Sequence, residues 1–273
     1  MKVANNTTEI ARNYSIALSR REVALLAGWE RERRVSVTIE DIRKIVGDSV
    51  ARDVASRLVA KQVLERVARG RYLVRPLRTQ SRPSTVSAPV RAAVLLRGEP
   101  YYLGGLWAMT FHRLTEQLYA SVLDAFVDRR HSGRRLVGAR LVFHRVISMR
   151  LGYGIVAVDL EGMSVRISDP ERTLLDLLDF PALVGGSGDA LGLVKQTMSR
   201  VDRAKLIEYG ARGARSSTCQ RLGVLLERAG SAPRPLAALH KRVARTKSVL
   251  SMDPGAPRKG NFNRRWSVIE NDW

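Results

Sequence analysis

Thr38-Ile39-Glu40-Asp41-Ile42-Arg43-Lys44-Ile45-Val46-Gly47-Asp48-Ser49, continuing Val50-Ala51-Arg52-Asp53-Val54-Ala55-Ser56-Arg57-Leu58-Val59-Ala60-Lys61, is the stretch on which the reading of this chain turns. Thr38 can cap a helix, Asp41 follows at the capping-box position, and Ile39, Ile42, Ile45 and Val46 recur at helical spacing. Gly47 and Asp48 stop that helix. Ser49 offers a second cap, after which Val50, Val54 and Leu58, with Ala51 and Ala55, fall on one arc at 100° per residue and should pack inward. The other side carries Arg52, Ser56 and Ala60, flanked by Asp53 and Arg57 and followed by Lys61. A slim, polar and cationic helix face of this kind fits a DNA major groove.

Downstream, Val63 to Val67 and Tyr72 to Arg75 read as two strands around the turn Ala68-Arg69-Gly70-Arg71, and Pro76 closes them. Arg69 and Arg71 would sit at the tip and reach phosphate or the minor groove. A solubilised sheet edge is the plainer interpretation of that hairpin. Helix, turn, helix and basic hairpin in this order favour nucleic acid over it. Upstream, Ser19 and Glu22 mark another capped helix through Leu26, with Val23, Leu25 and Leu26 apolar, and Val35 to Val37 could add a strand beside the hairpin. The pattern is that of a winged helix-turn-helix.

Charge points the same way. Among 273 residues, 47 Lys and Arg stand against 26 Asp and Glu, a net +21, and the expected partner is a polyanion. Residues 1–80 hold 17 Lys or Arg and 9 Asp or Glu, so +13 is left for the remainder and more than one segment can meet phosphate. A generally Arg-rich proteome would also explain part of that excess. No apolar run approaches the roughly 20 residues that cross a bilayer, and residues 1–10 are polar, so a cytoplasmic protein with no membrane association is expected. The single Cys219 cannot form an internal disulfide, in keeping with a reducing compartment.

Pro, Ser and Thr dominate residues 76–89, which read as a linker. The expected organisation is a DNA-binding domain over 1–78, a linker over 79–89 and a larger mixed domain over 90–273, an α+β chain as a whole. In the second domain a Gly-rich passage at 98–105 precedes a helix. Arg140 to Ile147, Gly154 to Asp159 and Val165 to Ser168 read as strands. Asp169 caps the clearest helix, with Pro170 at its first position, Glu171 near its positive end, and Leu174, Leu175, Leu177 and Leu178 as its apolar face, before Pro181.

Val165-Arg166-Ile167-Ser168-Asp169-Pro170-Glu171-Arg172-Thr173-Leu174-Leu175-Asp176, Gly185-Gly186, Arg221-Leu222-Gly223-Val224-Leu225-Leu226, the Arg69-Gly70-Arg71-Tyr72 turn and Trp266 together resemble the AbiEi family of bacterial antitoxins and their transcriptional-regulator relatives. The resemblance runs from the N-terminal domain to about residue 230. It implies a winged helix that binds repeats in its own promoter and represses the operon. It also implies a C-terminal antitoxin domain that counters a co-encoded nucleotidyltransferase-like toxin, commonly without a tight complex. Carried over to this chain, it places DNA contacts at Arg52, Arg57, Arg69 and Arg71, with Ser56 and Lys61 beside them. It marks Asp169, Glu171, Arg172 and Thr173 as signature residues of unassigned role; a helix start for Glu171 and a carboxylate partner for Arg172 are the simpler accounts.

Motifs for catalysis are not found. Gly185 to Gly192 misses the G-x-G-x-x-G spacing and reads as a loop before a helix that Asp189 helps to start, and no G-x-x-x-x-G-K-[ST], H-E-x-x-H or G-x-S-x-G occurs. His112, His131, His144 and His240 are scattered, and Cys219, with Arg221 nearby to lower its pKa, is more simply a core residue. A non-enzymatic chain without cofactor or metal is expected; the alternative is a C-terminal domain that modifies the toxin as an atypical phosphotransferase. The basic end, Gly230 to Trp273, carries Lys241, Arg242, Arg245, Lys247, Arg258, Lys259, Arg264 and Arg265. It reads equally as an extension of the DNA footprint or as an extended tail packed by Trp266 and Trp273, with 266–269 a closing strand.

Overall fold

The computed structural model of the protein describes residues 18–75, 86–119, 121–244, 246 and 248–271. Most of the expected linker, together with the polar start of the chain, Arg245, Lys247 and Trp273, lies outside these residues. The fold is α+β, with ten α-helices and three sheets among the described residues. It divides into two compact units: Met1–Arg97 with Asp159–Ser164, and Gly98–Val158 with Val165–Trp273.

In the first unit, α1 (Arg20–Arg31) starts at the Ser19 capping box, where the Ser19 amide donates to Glu22 Oε2 at 2.8 Å. The helix runs beyond Leu26 and buries Leu25, Leu26 and Trp29; Val23 points to solvent. β1 (Ser36–Thr38) leads into α2 (Ile39–Val46), whose Thr38–Asp41 capping box is complete, and Gly47 ends α2 in a left-handed conformation at φ 88°. α3 (Ala51–Ala60) then buries Ala51, Val54, Ala55 and Leu58. Two details depart from expectation here. Ser49 caps nothing, and Val50 occupies the capping position ahead of the helical phase, so its side chain is exposed instead of completing the apolar arc.

β2 (Leu64–Ala68) and β3 (Arg71–Val74) form the hairpin, with β1 antiparallel on the far side of β3, giving the order β1-β3-β2. Gly70 at φ 70° makes the turn, and a Cβ there would lie 3.0 Å from Ile39 Cγ2. The unit then gains an element that was expected to open the second domain. Ala88 and Pro89 begin a helix, α4 (Ala88–Leu95), and the first unit extends to Arg97 because Arg91 is buried in a two-armed ion pair with Glu65 of β2.

The second unit centres on a six-stranded mixed sheet of order β6-β7-β5-β4-β9-β8. Its strands are β4 (Tyr101–Gly104), β5 (Val122–Val127), β6 (Arg134–Leu136), β7 (Ala139–Arg145), β8 (Ile155–Leu160) and β9 (Met163–Ser168). α5 (Gly105–Phe111) follows β4, and α6 (Pro170–Asp179) follows β9. α7 (Ser187–Thr197), α8 (Arg203–Gly213), α9 (Ser216–Arg228) and α10 (Ala237–Val243) complete a helical core into which α6 puts all four of its leucines. The basic end is no extended tail. It folds as β10 (Leu250–Ser251), β11 (Asn261–Asn263) and β12 (Val268–Glu270) around the fully buried Trp266. Trp266 lies over Gly223 of α9 so closely that a Cβ there would meet the indole at 2.3 Å, and Gln220 Nε2 donates to the Trp266 carbonyl at 3.0 Å.

Two arginines and two aspartates lie buried within this unit. Arg172 Nε donates to Asp176 Oδ1 at 3.0 Å, Arg150 Nη2 reaches the same oxygen at 3.2 Å, and Arg150 also pairs with Asp179. Tyr102 OH donates to Asp176 Oδ2 at 2.7 Å and accepts from Arg172 Nη2 at 2.8 Å. Burial, then the adjacent Asp176 carboxylate, pushes the Tyr102 phenol well above its usual pKa, so it stays a donor. The Arg172 guanidinium lies between the Tyr102 and Tyr153 rings, 5.0 and 4.6 Å from their centroids. Thr218 of α9 and Arg215 ahead of it close on Asp179. Removing one charge of such a set strands its partner in a dry site, so Asp176→Ala should cost about 3–5 kcal/mol by chemical denaturation. The apolar pair Arg172→Met with Asp176→Leu should recover a large part of that loss; an equal loss would show that the cluster does not act as a charge pair.

Candidate nucleic-acid interface

The expected contact residues separate into two groups. Arg52 and Ser56, from the outward face of α3, share a groove of about 570 Å³ with Arg69 of the hairpin turn. Arg66 of β2 and Arg43 of α2 line it as well, with Tyr72 and Ile39. Arg43 pairs with Glu40 and, at 2.5 Å, with Asp48, so its charge is balanced. Arg52, Arg66 and Arg69 are exposed and have no carboxylate partner among the described residues. Three unbalanced guanidiniums around one concave surface focus positive potential and offer forked N–H donors to oxyanions.

Arg57 and Lys61 leave this groove. Lys61 Nζ lies 2.7 Å from Glu22 Oε2 and Arg57 Nε 3.6 Å from Glu22 Oε1, so both lean toward α1. Arg71, expected at the tip, turns inward, and its guanidinium donates to the Leu95 carbonyl at the end of α4. The unit thus uses Arg71 to satisfy a helix C-terminus. Arg43 and Arg66 are the lining residues that the sequence reading missed. Neither was legible: period-two alternation puts Arg66 on the same face as the buried Leu64, and the periodicity of α2 marked only its apolar positions.

The signature residues serve the fold. Asp169 Oδ1 accepts the Arg172 amide at 2.8 Å as the α6 cap, and Oδ2 accepts Tyr209 OH at 2.8 Å. Glu171 Oε1 accepts the Asp202 amide at 2.8 Å and so pins the approach to α8. Thr173 Oγ1 donates to the Asp169 carbonyl at 2.8 Å and lies 2.7 Å from Ser168 Oγ. The four histidines meet separate partners: the Ser168 carbonyl for His112, Glu99 for His131, Asp124 for His144 and the Trp266 ring for His240. Among the described residues no group of three or more His, Cys, Asp or Glu could hold a metal ion, and no described helix is long and apolar enough to cross a membrane. Burial pushes the Cys219 thiol up to about 11 against the opposing influence of Arg242. Arg221 does not lower it, because its guanidinium goes to the Met252 and Ser251 carbonyls.

Burial raises the Glu22 pKa, but Lys61 and the Ser19 amide outweigh it and hold the carboxyl below its ordinary 4.5. A lowered carboxylate pKa contributes stability that is complete above the unfolded value and lost as pH falls through the folded one. The Glu22 contribution should therefore be constant from pH 7 to about pH 5 and be lost below about pH 4.5, so that Glu22→Gln shows a shallower acid limb in thermal unfolding than the wild type and also loses about 1–2 kcal/mol at pH 7. Cys219 should react with a thiol reagent at pH 8 only on the timescale of unfolding, and prompt labelling of the native protein would contradict its burial.

No protein-family model matches the chain, and no curated protein matches it. In fold, the chain is similar to the crystal structure of the RV2827C protein from Mycobacterium tuberculosis, with a TM-score of 0.57 over 93% of this chain and 92% of that one, at 16% identity.

Proposed function

We propose that the chain is an antitoxin that represses its own operon. Its first unit acts as a winged helix-turn-helix on promoter DNA, and its second counters a co-encoded nucleotidyltransferase-like toxin. The observation that carries the DNA-binding half is the groove in which the outward face of α3 meets the hairpin turn, with Arg52, Arg66 and Arg69 left without carboxylates. In this reading α2 supports α3, and α3 enters a major groove that is about 12 Å wide. Arg52 and Ser56 are placed to address base edges, Arg66 and Arg69 to hold phosphates. The antitoxin half rests on the resemblance carried by Asp169-Pro170-Glu171-Arg172-Thr173 and its flanks.

Fluorescence anisotropy with the chain's own promoter duplex tests the first half. Arg52→Ala should weaken binding by about 1–3 kcal/mol and relax sequence preference, while Arg66→Ala and Arg69→Ala should weaken all duplexes alike and each flatten the log–log salt dependence by about 0.9. Arg71→Ala should chiefly destabilise the fold. Wild-type affinity in the Arg52, Arg66 and Arg69 variants together would remove the proposed interface. Growth rescue on co-expression with the neighbouring toxin gene tests the second half, and absence of rescue would refute it.

A further inference from the structure

The second unit holds an unbalanced cationic surface of its own. From Arg129 to Val158 the chain contains no Asp or Glu but seven arginines. Six of these, Arg129, Arg130, Arg134, Arg135, Arg140 and Arg145, are exposed on the β5–β6 connection and the β6–β7 ribbon, and only Arg150 turns into the buried cluster. None of the six has an ion pair among the described residues; Arg145 donates at 3.4 Å to the Asp128 carbonyl. Among the acidic residues of this unit, Asp128 accepts from Ser148, while Asp124 and Glu99 meet His144 and His131. Arg135 and Arg140 stand directly opposite each other in the antiparallel β6–β7 register. Like charges in that position destabilise a ladder. β6 is a three-residue edge strand, so this repulsion sits where the sheet is weakest.

We infer that the β6–β7 ribbon is a second DNA-binding element, one that grips the phosphate backbone of duplex DNA without reading sequence. A row of duplex phosphates supplies the anions that the protein withholds, and it relieves the Arg135–Arg140 repulsion on binding. An edge ribbon suits B-form DNA, whose major groove is wide enough for a two-stranded ribbon to lie between its phosphate rims, better than A-form RNA, whose major groove is deep and narrow. The inference rests on the reading of this chain as a DNA-binding protein, yet it concerns residues that the first interface does not use.

The test is anisotropy of the full-length protein on a random-sequence duplex across a series of KCl concentrations. Arg134→Ala with Arg135→Ala and Arg140→Ala should weaken binding several-fold at low salt and flatten the log–log salt slope by about 2–3. The corresponding triple lysine variant should keep most of the slope, because a point charge suffices for phosphate. Arg135→Ala alone should leave the melting temperature unchanged or raise it, which separates lost contact from lost folding. If the Arg52, Arg66 and Arg69 variant binds normally while the ribbon variant does not, the first interface fails and the ribbon stands; loss in the first with an unchanged slope in the second overturns the ribbon. Equal loss of binding to polyglutamate of matched charge would likewise overturn it, in favour of an acidic protein partner.

Discussion

Charge removed from water must be matched, and the second unit is organised around that constraint. Arg172 and Asp176, both fully buried, and Arg150 and Asp179, nearly so, come from α6 and from the short helical turn after β7. Tyr102 brings β4 to the same point, and Thr218 brings α9. An unmatched ion in such a place costs several kcal/mol, so these elements hold their relative positions or the unit does not close. Gly154 shows how tight the fit is: at φ 63°, a Cβ there would lie 2.8 Å from Arg172 Cβ. The Asp169–Thr173 signature falls inside this structure as its capping and bracing part.

The arginines of this chain thus follow two different rules. Arg71, Arg91, Arg150, Arg172, Arg215 and Arg221 end carbonyls, pair with carboxylates or lie over aromatic rings inside the fold. Arg52, Arg66 and Arg69 on the first unit, and the ribbon arginines on the second, face water without a carboxylate partner among the described residues. A net charge of +21 does not distinguish these populations. Only the second can raise the surface potential that draws in a polyanion.

Local signals carried much of the architecture. The Ser19–Glu22 and Thr38–Asp41 capping boxes, the Gly47 stop, the Gly70 turn and the Asp169-Pro170 helix start each depend on residues within four positions of one another, and each appears where the sequence placed it. Misreadings gathered where a distant partner decided. Residues 88–95 became part of the first unit because Arg91 finds Glu65, and the basic end became a sheet because Trp266 finds Gly223. Within the groove, Arg52, Ser56 and Arg69 came together as their helix and turn positions implied, while Arg57 and Lys61 were drawn off by Glu22 and Arg71 by Leu95.

The amino-acid order by itself determined where α1, α2 and α6 begin, most of the apolar faces, and that the chain is strongly cationic, because caps, glycine turns and periodicity act over a few residues. Tertiary structure alone decided which arginines are spent inside and which stand free, since a guanidinium on a long, flexible side chain goes to whatever acceptor the folded chain brings within about 3 Å, and that acceptor lies tens of residues away.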